Sequence, residues 1–100
     1  MQWLFSSHEP MSQKIQQVFG EVIRRRREAA GVTQEDLGHW SGLSRNYIGM
    51  LERGERVPTI LVMHKVAVAL GVSMSALVRE LERGLVSQGR ARKTRPSPGG

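Results

Sequence analysis

Residues 33–54 read Thr33-Gln34-Glu35-Asp36-Leu37-Gly38-His39-Trp40-Ser41-Gly42-Leu43-Ser44-Arg45-Asn46-Tyr47-Ile48-Gly49-Met50-Leu51-Glu52-Arg53-Gly54. The stretch divides at Gly42 into two short helical patterns. Thr33 and Asp36 have the spacing of a capping box, with Asp in place of the preferred Glu or Gln. Glu35 and Asp36 also suit the positive end of a helix dipole. Ser44 is a good N-cap for the second pattern. Leu37, Leu43, Ile48 and Leu51 fall where both helices can pack on one core. Gly38 stands where the helices cross closely and a small residue is needed. Gly42 sits in the turn, where a positive φ is cheap only for glycine.

The flanks supply three more helices. Ile15, Val18, Phe19, Val22 and Ile23 recur at three- and four-residue spacing, which predicts a first helix from Gln13 to Ala30, ended by Gly31. A fourth follows Pro58-Thr59, with apolar positions at Ile60, Leu61, Met63, Val66, Ala67 and Leu70, and stops at Gly71. A fifth, capped by Ser73, carries Met74, Leu77, Val78 and Leu81 and reaches Leu85. No segment alternates as a hairpin strand does. The predicted fold class is all-α, a compact five-helix domain over residues 13–85. Residues 1–12 are predicted as an irregular head, because His8-Glu9-Pro10 breaks a helix. Residues 86–100, rich in Ser, Gly, Arg and Pro, are predicted as a basic disordered tail.

Composition narrows the function classes. The 100 residues include no cysteine, which removes disulfides, thiolate metal sites and cysteine nucleophiles. His8, His39 and His64 are far apart without ligand spacing, so no metal is expected. There is no phosphate-binding glycine loop and no nucleophile–base–acid cluster, so neither a cofactor nor an enzyme is expected. No apolar run is long enough to cross a membrane, and the start, Met1-Gln2-Trp3-Leu4-Phe5, does not read as a signal peptide. The net charge is +6, which favours polyanionic partners. Most of the excess lies outside the core: residues 83–100 hold Arg83, Arg90, Arg92, Lys93 and Arg95 and no acid.

The order and spacing of the motifs complete the reading. Thr33-Gln34-Glu35-Asp36-Leu37-Gly38, Gly42-Leu43-Ser44, Tyr47 to Gly54, Pro58-Thr59, and Ala67-Val68-Ala69-Leu70-Gly71-Val72-Ser73 resemble the Cro/phage-repressor (XRE-like) helix-turn-helix family, over roughly residues 15–82. The resemblance implies a lambda-repressor-like fold whose third helix enters the major groove of double-stranded DNA, often as a homodimer. It implies base contacts from Ser44, Arg45, Asn46, Gly49 and Met50. Phosphate contacts are implied at Gln34, Arg53 and Thr59. Tyr47 is read as packing, with its hydroxyl on a phosphate. Arg27 and Glu52 match a family ion pair tying the first helix to the third. Arg26 departs from the pattern, standing where relatives carry a core leucine.

The chemistry of these side chains agrees. Arg45 can place its planar fork on guanine O6 and N7, Asn46 can pair with adenine, and Met50 can pack on a thymine methyl. Gly49 lets the backbone approach a base. In the run Arg24 to Arg27, Arg27 is assigned to structure and the others mostly to solvent, because successive helical residues point about 100° apart. Trp40 is read as packing. The expected function is a sequence-specific transcriptional regulator, a repressor on a near-palindromic operator, cytoplasmic and nucleoid-associated. The fifth helix and residues 81–86 are the expected dimer surface. The alternative is an antitoxin or adaptor, a protein-interaction module docking through Trp3-Leu4-Phe5 or Leu85-Val86.

Overall fold

The computed structural model describes residues 10–92. Its five helices are α1 (Pro10–Ala29), α2 (Gln34–Ser41), α3 (Arg45–Glu52), α4 (Ile60–Leu70) and α5 (Met74–Arg92). Among the described residues no strand is present and no single helix is long and apolar enough to cross a membrane. Trp3, Leu4 and Phe5 of the head, and Lys93 and Arg95 of the tail, lie outside the described residues.

Local chemistry sets the helix ends. In the capping box of α2 the Asp36 N–H donates to Thr33 Oγ1 at 3.0 Å and the Thr33 N–H donates to Asp36 Oδ2 at 3.4 Å. Aspartate at this position therefore reaches back as glutamate would. Ser44, Thr59 and Ser73 cap α3, α4 and α5 with hydroxyl acceptors, at 2.9 Å from the Tyr47 N–H, 3.1 Å from the Val62 N–H and 3.0 Å from the Ala76 N–H. Gly42 ends α2 at φ 76°, in the left-handed region, and Leu43 then donates to the Gly38 carbonyl at 3.0 Å.

One core holds the five helices. Val18, Phe19, Val22 and Ile23 of α1 meet Leu37 of α2, Ile48 and Leu51 of α3, Val66 and Ala67 of α4 and Leu77 of α5, all buried. Leu43 packs against this cluster from the turn. Each fully buried aliphatic or aromatic side chain contributes roughly 1.5–3 kcal/mol of hydrophobic stabilisation. Two glycines allow the close approaches. A Cβ at Gly38 would stand 2.7 Å from the Leu43 carbonyl oxygen, and one at Gly20 would stand 2.5 Å and 2.6 Å from those of Leu51 and Glu52. Gly20 thus seats α1 directly on the C-terminal end of α3.

Several expectations need correcting. α1 starts at Pro10 and not at Gln13, so residues 10–12 of the expected irregular head are helical. Proline is tolerated there because the first turn of a helix needs no N–H from it. α5 continues past Leu85 to Arg92, so part of the expected disordered tail is helical. Leu81 and Leu85, inside the expected helix, pack against the core. Both are only partly buried there, and Val86 of the same stretch is exposed. Trp40 is more than half exposed; Leu37, Gly38 and Ser41 form the buried side of α2. Ile60 and Leu61 also point outward. Arg26 is not simply solvated: its guanidinium pairs with Glu80 and ties α1 to α5.

Beside Gly20 a second tie joins α1 to α3. Arg27 donates to both oxygens of Glu52, Nε to Oε2 at 2.6 Å and Nη2 to Oε1 at 3.1 Å, and Nη1 donates to the Val32 carbonyl at 2.9 Å. The Glu52 side chain is 4% exposed and that of Arg27 12%. Donating to Glu52 raises the Arg27 pKa further, against the burial that lowers it. Removing one partner of such a pair strands a buried charge, whereas removing both does not. Arg27→Met is expected to lower the urea-unfolding free energy by about 3 kcal/mol, and adding Glu52→Leu to recover most of that loss. Equal stability of the wild type and Arg27→Met would show that the pair carries no structural load.

Candidate nucleic-acid interface

Because α3 is held by Ile48 and Leu51 on its inner side, Arg45 and Asn46 face outward. Both are exposed, and both line a depression of about 240 Å³ whose other walls are Gln34, Gly49 and Arg53. The first residue of α2, two residues from the start of α3 and the C-cap of α3 thus meet at one place. A broader cleft of about 640 Å³ adjoins it through Gln34 and Arg45 and runs back to Arg27 and Thr33.

Gly49 forms the floor of the smaller depression. A Cβ there would lie 3.2 Å from Arg53 Nη1 and 3.7 Å from Gln34 Oε1. Glycine therefore leaves the two polar heads free to converge over the backbone of α3, as a reading surface that admits a ligand edge requires. The propensity cost of glycine within a helix, about 1 kcal/mol relative to alanine, is borne by the surrounding packing.

The two heads are held by carboxylates. Gln34 Nε2 donates to Glu52 Oε1 at 3.0 Å, the same oxygen that accepts from Arg27 Nη2. An ionised carboxylate only accepts, so the amide is oriented with its nitrogen inward, toward Glu52. Arg53 donates to Glu55 through Nε at 2.9 Å and Nη2 at 3.3 Å. Hydrogen bonding by Arg53 holds the Glu55 carboxyl below its usual range, and Glu55 in turn raises the Arg53 pKa. This leaves Arg53 Nη1 directed over Gly49. Glu55 belongs to none of the sequence motifs; its place two residues after the α3 C-cap is the signal available for it.

The other candidates lie apart from the depression. Ser44 caps α3 and is exposed. Met50 is half-buried on the next turn. Tyr47 packs against the core, which accounts for its ring. Thr59 caps α4 and does not line the depression. Arg24 pairs with Glu28 at 3.2 Å on the exposed side of α1. Arg25 lines a separate groove with Arg79 and Arg83 between α1 and α5.

This arrangement has counterparts among known proteins. Residues 23–77 match the helix-turn-helix family. An uncharacterized HTH-type transcriptional regulator of Sinorhizobium fredii, y4dJ, is 41% identical over 64 residues, which are 64% of this chain and 83% of that protein. A longer uncharacterized HTH-type regulator of Mycobacterium tuberculosis is 41% identical over 58 residues, 58% of this chain but only 41% of its own length. Among solved structures, the restriction-modification controller protein C.Esp1396I, seen as a tetramer in complex with its natural 35 base-pair operator, is 32% identical with a TM-score of 0.68; the match covers 72% of this chain and 95% of that one. With more than half its length inside the family pattern and its five helices in the matching fold, this chain belongs to the XRE-type helix-turn-helix family.

Proposed function

We propose that the chain is a DNA-binding transcriptional regulator that reads an operator with the outward face of α3. The observation that carries this reading is the convergence of Arg45, Asn46, Gln34 and Arg53 over Gly49 at the exposed end of a buried helix pair. Arg45 and Asn46 are the base readers, with Ser44, Gly49 and Met50 beside them. A guanidinium fork matches guanine O6 and N7, and a carboxamide matches adenine N6 and N7. Gln34 and Arg53, at the two ends of the surface, hold the phosphates that fix its register. Tyr47 and Thr59 are assigned to packing and capping first, with phosphate contact through their hydroxyls.

Recognition by one short helix covers a few base pairs. A homodimer on a near-palindromic operator doubles this, with recognition helices about 34 Å apart in successive major grooves. Repression follows where such an operator overlaps a promoter. No catalytic role is proposed, and the cytoplasm, around the nucleoid, is the compartment this activity requires. The basic residues near the C-terminus add a salt-dependent, sequence-independent attraction.

Two measurements separate reading from attraction. After a bound sequence is selected from a random duplex pool, Arg45→Ala is expected to weaken binding to that sequence by about 1–3 kcal/mol while leaving random DNA little affected. Equal losses on both would remove Arg45 from base reading. Glu55→Gln removes a carboxylate that faces any phosphate approaching Arg53, so binding to selected and random duplexes alike is expected to rise by roughly 3–10-fold at low salt. Weaker binding by this variant would instead make Glu55 the group that aims Arg53.

A further inference from the structure

α5 lies directly on α1 at Gly84, where an added Cβ would stand 2.5 Å from Val18 Cγ1. Arg26 of α1 reaches Glu80 one turn earlier on α5. The same junction carries a groove of about 670 Å³. Glu80 and Gly84 form the line of α5 that meets α1, and Arg79, Arg83 and Val86 form the line beside it, because residues three and four apart share a face. Arg25 of α1 supplies the opposite wall. Unlike Arg27 and Arg53, these arginines are not held by carboxylates: among the described residues Arg25, Arg79 and Arg83 enter no ion pair. Arg25 donates only from Nε, to the Glu21 carbonyl at 3.5 Å. Two carboxylates share the lining, but Arg26 already engages Glu80, which leaves Glu82 against three guanidiniums. Arg79 and Arg83, four apart on one helix face, repel each other, and an anion between them reverses that repulsion.

We infer that this groove binds a small ligand carrying two or more phosphoryl groups, of the nucleoside-polyphosphate class. An arginine fork takes phosphate oxygens two at a time. A terminal phosphoryl group has three acceptor oxygens, so it can satisfy two forks at once, where a carboxylate has only two oxygens. The groove volume falls within the roughly 300–1,000 Å³ of small-molecule sites. Val86, 51% exposed, offers the uncharged part of the ligand an apolar wall. Glu82 interrupts the cationic line, which suits a compact anion better than the unbroken phosphate run of a DNA strand. Arg25 stands on α1 and Arg79 and Arg83 on α5, so the bound ligand adds a second tie to that of Arg26 with Glu80 and stabilises the fold. No residue of α2, α3 or α4 lines the groove. The ligand therefore leaves the reading surface open, and the inference goes beyond the operator reading without depending on it.

The test uses the full chain without DNA, titrated calorimetrically with tripolyphosphate, ATP and AMP at about 150 mM salt, where exposed charges more than about 8 Å apart are largely screened. Tripolyphosphate and ATP are expected to bind with a Kd of roughly 10–100 μM, and AMP at least ~10-fold more weakly. Arg79→Gln combined with Arg83→Gln is expected to weaken tripolyphosphate at least ~10-fold, with an unchanged circular dichroism spectrum. The same variant is expected to lose the rise in unfolding temperature that tripolyphosphate gives the wild type. Lys93→Gln combined with Arg95→Gln removes equal charge near the C-terminus and is expected to change the affinity less than ~2-fold. Equal losses in the two double variants would reduce the site to diffuse charge and overturn the inference. AMP binding as tightly as ATP, or no binding of tripolyphosphate at millimolar concentration, would overturn it too. So would a hexaglutamate peptide that displaces tripolyphosphate at lower concentration, which would assign the groove to an acidic protein segment. Every arm is free of DNA, so failure here is distinct from failure of the operator reading.

Discussion

The buried Glu52 carboxylate connects three helices that would otherwise be only loosely related. Its two oxygens accept from Arg27 on α1 and from Gln34 at the start of α2, while its backbone belongs to the last turn of α3. α2 and α3 have eight residues each, well below the length at which an isolated helix persists in water. Their existence and mutual angle must come from tertiary contacts. The apolar core supplies most of the stabilisation, but it is non-directional. The carboxylate adds direction: it ties α3 to α1, where Gly20 permits the approach, and fixes the Gln34 amide with its nitrogen inward.

That surface is small, and its chemistry differs from the bulk charge. Four polar side chains converge over Gly49, and two of them are already engaged by carboxylates. On the proposed function, a cation held by Glu55 is less available to a passing phosphate, which lowers indiscriminate affinity more than the affinity of a site that also satisfies Arg45 and Asn46. The excess positive charge lies mainly toward the C-terminus, past the core. On the proposed function, bulk attraction and base reading fall to different parts of the chain, and salt acts chiefly on the first.

Much of this was legible in the sequence because it depends on local chemistry. The Thr33–Asp36 box, the Ser44, Thr59 and Ser73 caps and the glycine stops are short-range signals, and they place the helix ends. The buried set from Val18 to Leu77 follows from three- and four-residue spacing. What was not legible depends on which neighbour occupies which side. Trp40 looks like a core residue until α2 turns Leu37, Gly38 and Ser41 inward. Ile60 and Leu61 share the hydrophobicity of Val66, and only the packing of α4 against α2 and α5 shows which side is left open. Arg26 finds Glu80 54 positions away, and Gly20 matters only because α3 comes to rest on it. Pro10 as a first helical residue, and the two further turns of α5, show how readily a tail or head composition is mistaken for the end of a helix.

The central claim is that DNA meets α3 and its two flanking polar heads, and not the other basic grooves of the molecule. Backbone amide NMR during titration with a selected duplex tests it most directly. The account predicts that the largest shifts fall on Gln34, Arg45, Asn46, Gly49 and Arg53, with α1 and the middle of α5 nearly unmoved. Shifts concentrated instead at Arg25, Arg79 and Arg83, which line the groove between α1 and α5, would contradict it.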